Sequence, residues 1–319
     1  MFARDFLLPS GRSGGGRFFN LFLMESNKYL DALKKYDTEL NDEAVKAEVE
    51  KIIAEGFEQN NNNDVLKFSL GCIDLTSLNP TDNEERIRDF VERVNLFEEA
   101  YPNYDNVASI CVYPNFAETV STFLDVSEVH TTVVAAGFPS SQTFDEIKVA
   151  ECGLAVANGA DEVDIVINVG QMLAGDYESM CDTIQECKEA CKDKIFKVIL
   201  ETGALKKASL IAKASVLAMY SGADFIKTST GKIDVAATPE AAYVMCKMIK
   251  AYFDETGNRV GFKVAGGVRT AEDAVKYYTI VKTVLGDEWL TKDLYRIGAS
   301  SAANNLLSAI EGETIKHFL

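Results

Sequence analysis

The chain has 319 residues, long enough for one large core or two modest domains. It is 47% hydrophobic and 25% charged with a mean hydropathy of −0.03, an ordinary globular composition, and no apolar run reaches the length of about 18 residues that spans a bilayer. A net charge of −17 opposes non-specific binding to nucleic acid, although a local basic pocket can still take a small anion.

Residues 1–23 carry Arg4, Arg12 and Arg17 around a Ser-Gly-Gly-Gly run and are expected to form a mobile tail. An organelle transit peptide is the alternative, opposed by Asp5 and Pro9, which interrupt an amphipathic helix. From 24 to 58, Leu30, Leu33, Tyr36 and Leu40, then Val45, Val49, Ile52, Ile53 and Phe57, recur at helical steps. They predict a helical covering layer rather than a separate domain. The asparagine-rich run from Asn60 to Asp64 is expected to be a polar linker, so that 24–68 forms a helical extension and linker and 69–319 a barrel domain.

Beyond residue 68, short runs rich in Val and Ile alternate with longer amphipathic patterns. The predicted strands are Leu70–Leu75, Val107–Tyr113, Thr131–Ala136, Glu162–Asn168, Phe196–Glu201, Asp224–Thr228, Val260–Ala265 and Tyr295–Ala299. Between them lie helical patterns such as Thr143–Asn158, Tyr177–Lys192 and Pro239–Thr256. This alternation over about 250 residues is that of an α/β chain closing into a (β/α)8 TIM barrel with an N-terminal helical extension, an open doubly wound sheet being the alternative. The chain has 7 cysteines, an odd number, and no secretory signal precedes them, so reduced thiols in a cytoplasmic protein are expected. Cys187 and Cys191 stand four apart on a helix without a second ligand pair, and His130 and His317 are the chain's histidines, so no metal site is expected. The same scarcity disfavours Ser-His-Asp and Cys-His hydrolase schemes.

In a barrel of this kind the reactive groups gather at the C-terminal ends of the strands. Asp74, Cys111, Asp164, Lys197, Lys227 and Lys263 fall on the first, second, fourth, fifth, sixth and seventh predicted strands. A charge within an apolar strand costs several kcal/mol unless it is paired, so the cluster is either a structural ion-pair network or a site. Lys227 and Lys263 favour a site, because neighbouring strands lie roughly 4.8 Å apart and each ammonium disfavours protonation of the other. Like charge and partial desolvation lower a lysine's pKa and release an amine able to attack a carbonyl, with a carboxylate such as Asp164 to carry protons. Gly266-Gly267 follow the seventh strand and Gly298-Ala-Ser-Ser301 the eighth, each leading into a helical pattern, with Gly231, Lys232 and Arg269 close in sequence. These loops are the usual phosphate site of the barrel, so a small phosphorylated substrate is expected.

Eight stretches then resemble the deoxyribose-phosphate aldolase family over about residues 70–305. They are Ile-Asp-Leu-Thr-Ser-Leu-Asn (73–79), Ile-Cys-Val-Tyr-Pro (110–114), Ala-Gly-Phe-Pro (136–139) and Gly-Ala-Asp-Glu-Val-Asp-Ile-Val-Ile-Asn (159–168), continuing through Lys-Val-Ile-Leu-Glu-Thr-Gly (197–203), Ala-Asp-Phe-Ile-Lys-Thr-Ser-Thr-Gly-Lys (223–232), Gly-Phe-Lys-Val-Ala-Gly-Gly-Val-Arg-Thr (261–270) and Arg-Ile-Gly-Ala-Ser-Ser (296–301). The resemblance implies a (β/α)8 barrel that reversibly cleaves 2-deoxy-D-ribose 5-phosphate to acetaldehyde and D-glyceraldehyde 3-phosphate without metal or other cofactor, in deoxyribose phosphate catabolism. It implies Lys227 as the Schiff-base lysine, Lys263 as the cation that lowers its pKa and Asp164 as a proton shuttle acting through water. Cys111 would line the aldehyde pocket, Thr230 and Lys232 would run along the substrate, Gly267, Ser300 and Ser301 would surround the phosphate, and Asp74 and Lys197 would support the polar network. A nucleic-acid or membrane partner is not expected; a homo-oligomer is compatible with the resemblance.

The sequence departs from the family at Val264, where proline usually follows the lysine and fixes φ, so a looser Lys263 is expected. It also ends in Thr-Ile-Lys-His-Phe-Leu, where some members carry a terminal tyrosine that assists proton transfer. These departures and the N-terminal extension leave a non-catalytic binding or scaffold protein on the same fold as the competing reading.

Overall fold

A computed structural model describes residues 28–318. The tail expected at 1–23 lies outside the described residues. Eight parallel strands close into a barrel in sequence order: β1 (Ile73–Thr76), β2 (Ser109–Val112), β3 (His130–Val134), β4 (Glu162–Val166), β5 (Ile195–Ile199), β6 (Phe225–Lys227), β7 (Gly261–Ala265) and β8 (Tyr295–Ala299). The open sheet is thereby excluded, since β1 pairs with β8 as well as with β2. Each predicted strand has its counterpart, most of them shorter than the apolar run that announced it. The last residues of such runs leave the sheet and enter the loops at the C-terminal end of the barrel, as Glu201 and Thr228 do.

Alternation along the strands sorts the side chains. In β4, Val163 and Ile165 pack outward into the helical layer, while Glu162 and Asp164 turn inward to meet cations from other strands. β7 behaves alike, with Phe262 and Val264 in the outer core and Lys263 inside. Around the sheet, helices such as Pro239–Thr256 and Ala271–Leu285 bury their apolar faces in one continuous core. No described helix is long and apolar enough to cross a membrane.

The N-terminal extension is helical, but not as one stretch. It forms helices Lys28–Leu33 and Asp42–Asn60, separated at residues 34–41, where the Asn41 side chain accepts from the Ala44 N–H and caps the second helix. Val45, Val49 and Ile52 bury the inner face of that helix, which packs against Ala271–Leu285 and Pro239–Thr256. At its start, Asp42 Oδ1 accepts from the backbone N–H of Ala208 at 2.8 Å and so caps a barrel helix.

The polar linker expected at Asn60–Asp64 is a correction. Asn60 is the last residue of one helix, and Asn62 caps the next, Asn63–Gly71, by accepting from the Asp64 and Val65 N–H groups. Asparagine suits both tasks because its short side chain substitutes for a backbone partner at a helix end. The buried Asn60 Nδ2 also donates to Thr279 Oγ1 at 3.1 Å, tying the extension to the barrel. Asn60→Ala is expected to lose about 1–2 kcal/mol through this bond, read as a lower urea midpoint at unchanged slope.

Candidate active site

Register brings the inward charges together. Asp164 is level with Lys197, Lys227 with Lys263, and Lys263 with Arg296. Asp164 Oδ1 accepts from Lys197 Nζ at 2.9 Å, and its Oδ2 accepts from both Lys227 Nζ at 2.8 Å and Lys263 Nζ at 2.7 Å. Asp74 pairs with Lys263 and, at 2.6 Å, with Arg296. Asp74 and Lys197 are thus members of the network that contains the two lysines.

Two further members join the residues singled out from the sequence. Glu162 pairs with Lys197 and, at 2.9 Å, with Arg296, and it accepts from Thr132 Oγ1 at 2.8 Å. Both Glu162 and Arg296 are buried. A sequence signal was available for Glu162, which precedes Asp164 by two residues on one strand, and a two-residue step keeps a side chain on the same face.

Protonation follows from who surrounds whom. Burial pushes the Asp164 carboxyl up, but the ammoniums of Lys197, Lys227 and Lys263 outweigh it and hold the group well below the usual carboxylate range. Lys263 is not lowered, contrary to the expectation that each lysine depresses the other. Burial does lower it, but Asp164 and Asp74 together lift it above an ordinary lysine. Lys227 lies below the ordinary lysine range because burial outweighs the attraction of Asp164, with Lys263 adding its repulsion. The pair is therefore asymmetric, with one fixed cation and one amine whose proton is loosely held.

At the opposite end of the barrel the half-exposed His130 meets Glu162 through Nδ1 at 2.7 Å, which raises the histidine pKa. A raised folded value means that this contact stabilises fully below the unfolded pKa near 6.5 and is lost as pH rises through the folded value. Because the ring is partly in solvent, the contribution is expected to stay below about 1 kcal/mol. Stability measured from pH 5 to 9 should fall over that window in the parent protein, and His130→Gln should flatten the fall.

Above the network, at the C-terminal face, opens a cavity of about 460 Å³. Lys227, Thr230, Lys232, Gly267, Ser300 and Ser301 all line it, together with Arg269, whose side chain makes no ion pair among the described residues. Lys227 is 4% exposed and faces this space, whereas Lys263 and Asp164 are wholly buried behind it. Cys111 stands near the same charges, fully buried and packed with Leu78 and Val134, and is not among the residues facing the cavity.

The loop after β6 is clamped in place. Glu201 accepts from the Thr230 N–H at 3.2 Å and from Thr230 Oγ1 at 2.5 Å, and Thr230 Oγ1 accepts from the Lys232 N–H at 3.1 Å. Glu201 does this from a left-handed backbone with φ of 54°, an unfavourable conformation for a residue with a Cβ. Lys232 Nζ donates to the Leu78 carbonyl at 2.5 Å, bridging to the loop after β1. Gly266, at φ 72°, lies so close to Gly231 that a Cβ would come within 2.9 Å of the Gly231 Cα. The helix Ala302–Glu311 starts at the cavity wall with no side-chain cap at Ser301, while Ala271–Leu285 is closed by its own capping box of Thr270 and Asp273. An anion entering the cavity would meet the loop N–H groups, Lys232 and Arg269 more than the start of Ala271–Leu285.

Val264 does not disturb the presentation of Lys263. It is buried in the outer core in register with Ile297, and two carboxylates fix the neighbouring ammonium. Near the C-terminus, the His317 and Phe318 N–H groups both donate to Asn304 Oδ1 at 3.0 Å, and Phe318 stacks on Phe97. Cys187 and Cys191 are buried together with Cys152, whose thiol they push far above its usual range by hydrogen bonding, with burial adding to the effect.

A closed parallel barrel with an amine, a carboxylate and glycine-bearing loops converging at the C-terminal mouth defines a protein of the (β/α)8 class with a candidate active site at that mouth. A family model described as DeoC/LacD family aldolase matches residues 68–301, and the chain belongs to that family. A Caenorhabditis elegans protein described as a "putative deoxyribose-phosphate aldolase" is 42% identical over 251 residues, covering 78% of this chain and 82% of that one. A crystal structure from Coccidioides immitis with the same description superposes with a TM-score of 0.64 at 27% identity, covering 85% of this chain and 99% of the other. A tetrameric deoxyribose phosphate aldolase from Aeropyrum pernix shares the fold, with a TM-score of 0.61 at 23% identity over 80% of this chain and 97% of its own.

Proposed function

We propose that the protein reversibly cleaves 2-deoxy-D-ribose 5-phosphate to acetaldehyde and D-glyceraldehyde 3-phosphate through a Schiff base on Lys227. The observation that carries this reading is the asymmetry of the lysine pair: the amine facing the cavity is the one with the lowered pKa. Neutral Lys227 attacks the aldehyde carbon of the open-chain sugar, and the adduct takes up a proton relayed from solvent and loses water to give a protonated imine. Removal of the proton from the C3 hydroxyl lets the C2–C3 bond break, its electron pair moving into the imine to form an enamine as glyceraldehyde 3-phosphate departs. Protonation at C2 and hydrolysis then release acetaldehyde and restore the amine.

In this scheme Asp164 is held ionised and carries no proton to give, so it orients a water that relays protons, while Lys263 keeps Lys227 from recapturing its proton. Lys232, Arg269 and the loops carrying Gly267, Ser300 and Ser301 hold the phosphate at the other end of the cavity. Incubation with acetaldehyde followed by borohydride should add one ethyl group at Lys227, located by peptide mass. A folded protein that yields no such adduct would support the non-catalytic scaffold instead.

A further inference from the structure

Glu201, just beyond the end of β5, carries two costs. Its carboxylate is 4% exposed and makes no ion pair among the described residues, and its backbone takes φ 54° and ψ 57°, where a Cβ is strained. Such features persist only where the surrounding structure fixes them, and they cluster at active sites. Here the fixing is visible on both sides. The Leu200 N–H donates to the Lys227 carbonyl and the Thr202 N–H to the Thr228 carbonyl, each at 2.9 Å, so the backbone around Glu201 is pinned to the end of the strand that carries Lys227.

Both oxygens of the carboxylate are spent on one residue of the cavity wall. Oε1 accepts from the Thr230 N–H at 3.2 Å and Oε2 from Thr230 Oγ1 at 2.5 Å. With its proton committed to Glu201, that hydroxyl presents lone pairs, and it accepts from the Lys232 N–H at 3.1 Å. Lys232 Nζ in turn reaches the Leu78 carbonyl on the loop after β1. Thr230 and Lys232 line the cavity, whereas Glu201 is not among the residues facing it, so Glu201 acts through Thr230. The contact needs an acceptor at each oxygen. A glutamine of the same size has one, and its N–H2 group would be left facing the other Thr230 donor.

We propose that Glu201 is a positioning residue for the phosphorylated end of the substrate, fixing through Thr230 the loop that offers Thr230 and Lys232 to the cavity; this rests on the aldolase reading of the site. Thr230 follows Lys227 closely in the chain, but Gly231, at φ 74°, leaves the loop other conformations, which the clamp removes. A substrate gripped at its phosphate and bonded to Lys227 at its other end needs those two points at one spacing. Glu201 holds that spacing without touching the substrate.

Glu201→Gln is assayed on the full chain in two ways. For cleavage of 2-deoxyribose 5-phosphate, kcat/KM is expected to fall about tenfold or more, mostly as a rise in KM. The rate of borohydride-trapped adduct formation with acetaldehyde, which has no phosphate to hold, should fall less than about threefold. In a Thr230→Val background, adding Glu201→Gln should cost less than about threefold in kcat/KM, because the hydroxyl it acts on is gone. An equal fall in both assays, a parental kcat/KM, or full additivity with Thr230→Val would each overturn the assignment. Circular dichroism identifies a glutamine variant that fails to fold. Glu201→Asn, which suits a left-handed backbone but stops short of Thr230, then takes its place with the same expectations. A parent protein that forms no adduct at Lys227 would overturn the aldolase reading and this role with it. A parent that forms it, beside a folded variant without the phosphate-dependent loss, would overturn the positioning role alone.

Discussion

Replacing Lys227 by leucine is expected to lower cleavage of 2-deoxyribose 5-phosphate by at least about four orders of magnitude, a barrier increase of about 5.5 kcal/mol. Without the amine no imine forms, and the electrons of the breaking C2–C3 bond have no sink. The fold should survive, because Asp164 keeps Lys197 and Lys263 as partners after Lys227 is removed. Lys227→Arg makes the complementary test, since it keeps a cation beside Asp164 but cannot form the imine. It should be as inactive as the leucine variant and at least as stable. Steady-state cleavage and thermal unfolding of both variants check this, and a folded leucine variant that retained more than a few per cent of parental activity would sink the assignment of Lys227 as nucleophile.

Replacing Lys263 by leucine should move the reaction along the pH axis instead of abolishing it. Both ammoniums sit on one oxygen, Asp164 Oδ2, at 2.8 and 2.7 Å, so their nitrogens are no more than 5.5 Å apart, the sum of the two distances. At an effective dielectric constant of about 20, two unit charges at that separation repel by roughly 3 kcal/mol, which corresponds to about two pKa units. Without Lys263 that repulsion disappears and Asp164 is shared among fewer cations, and both changes raise the Lys227 pKa. Activity at neutral pH should drop by about 100-fold and recover towards alkaline pH. Stability should also fall, by about 3–5 kcal/mol, since Asp74 loses a buried partner. The pH profile of kcat/KM separates the two effects: an unfolded fraction lowers the curve, whereas the electrostatic effect displaces it. A curve lowered without displacement would refute the role of Lys263.

The barrel and much of the site were legible in the chain because both rest on local periodicity. Alternating Val and Ile runs marked the strands, and a lysine within such a run, as at 227 or 263, stood out against its neighbours. What escaped depends on contacts across the barrel. Arg296 and Glu162 lie near the starts of their strands and prove to be central, because only closure of β8 onto β1 brings Arg296 against Asp74. The residues alone left the sense of the lysine asymmetry open and only the resemblance pointed to Lys227, since the difference turns on Asp74 pairing with Lys263 rather than Lys227. Glu201 gave no sign of its clamp on Thr230, which needs a left-handed backbone that nothing in Leu-Glu-Thr-Gly announces. The asparagine run misled for the opposite reason: its composition is that of a loop, but Asn60 makes a buried bond and Asn62 caps a helix.

The strand-borne charges sealed within the barrel also have a parity. Lys197, Lys227, Lys263 and Arg296 stand against Asp74, Glu162 and Asp164, so the fully ionised interior holds one base too many. Balance is reached when a single proton leaves, and Lys227 is the member of the set with an opening to the cavity. On the proposed mechanism, the reactive form is therefore the electroneutral form of the interior. Adding one carboxylate inside the barrel, as a designer seeking stability would do, should pin that proton in place and silence the amine.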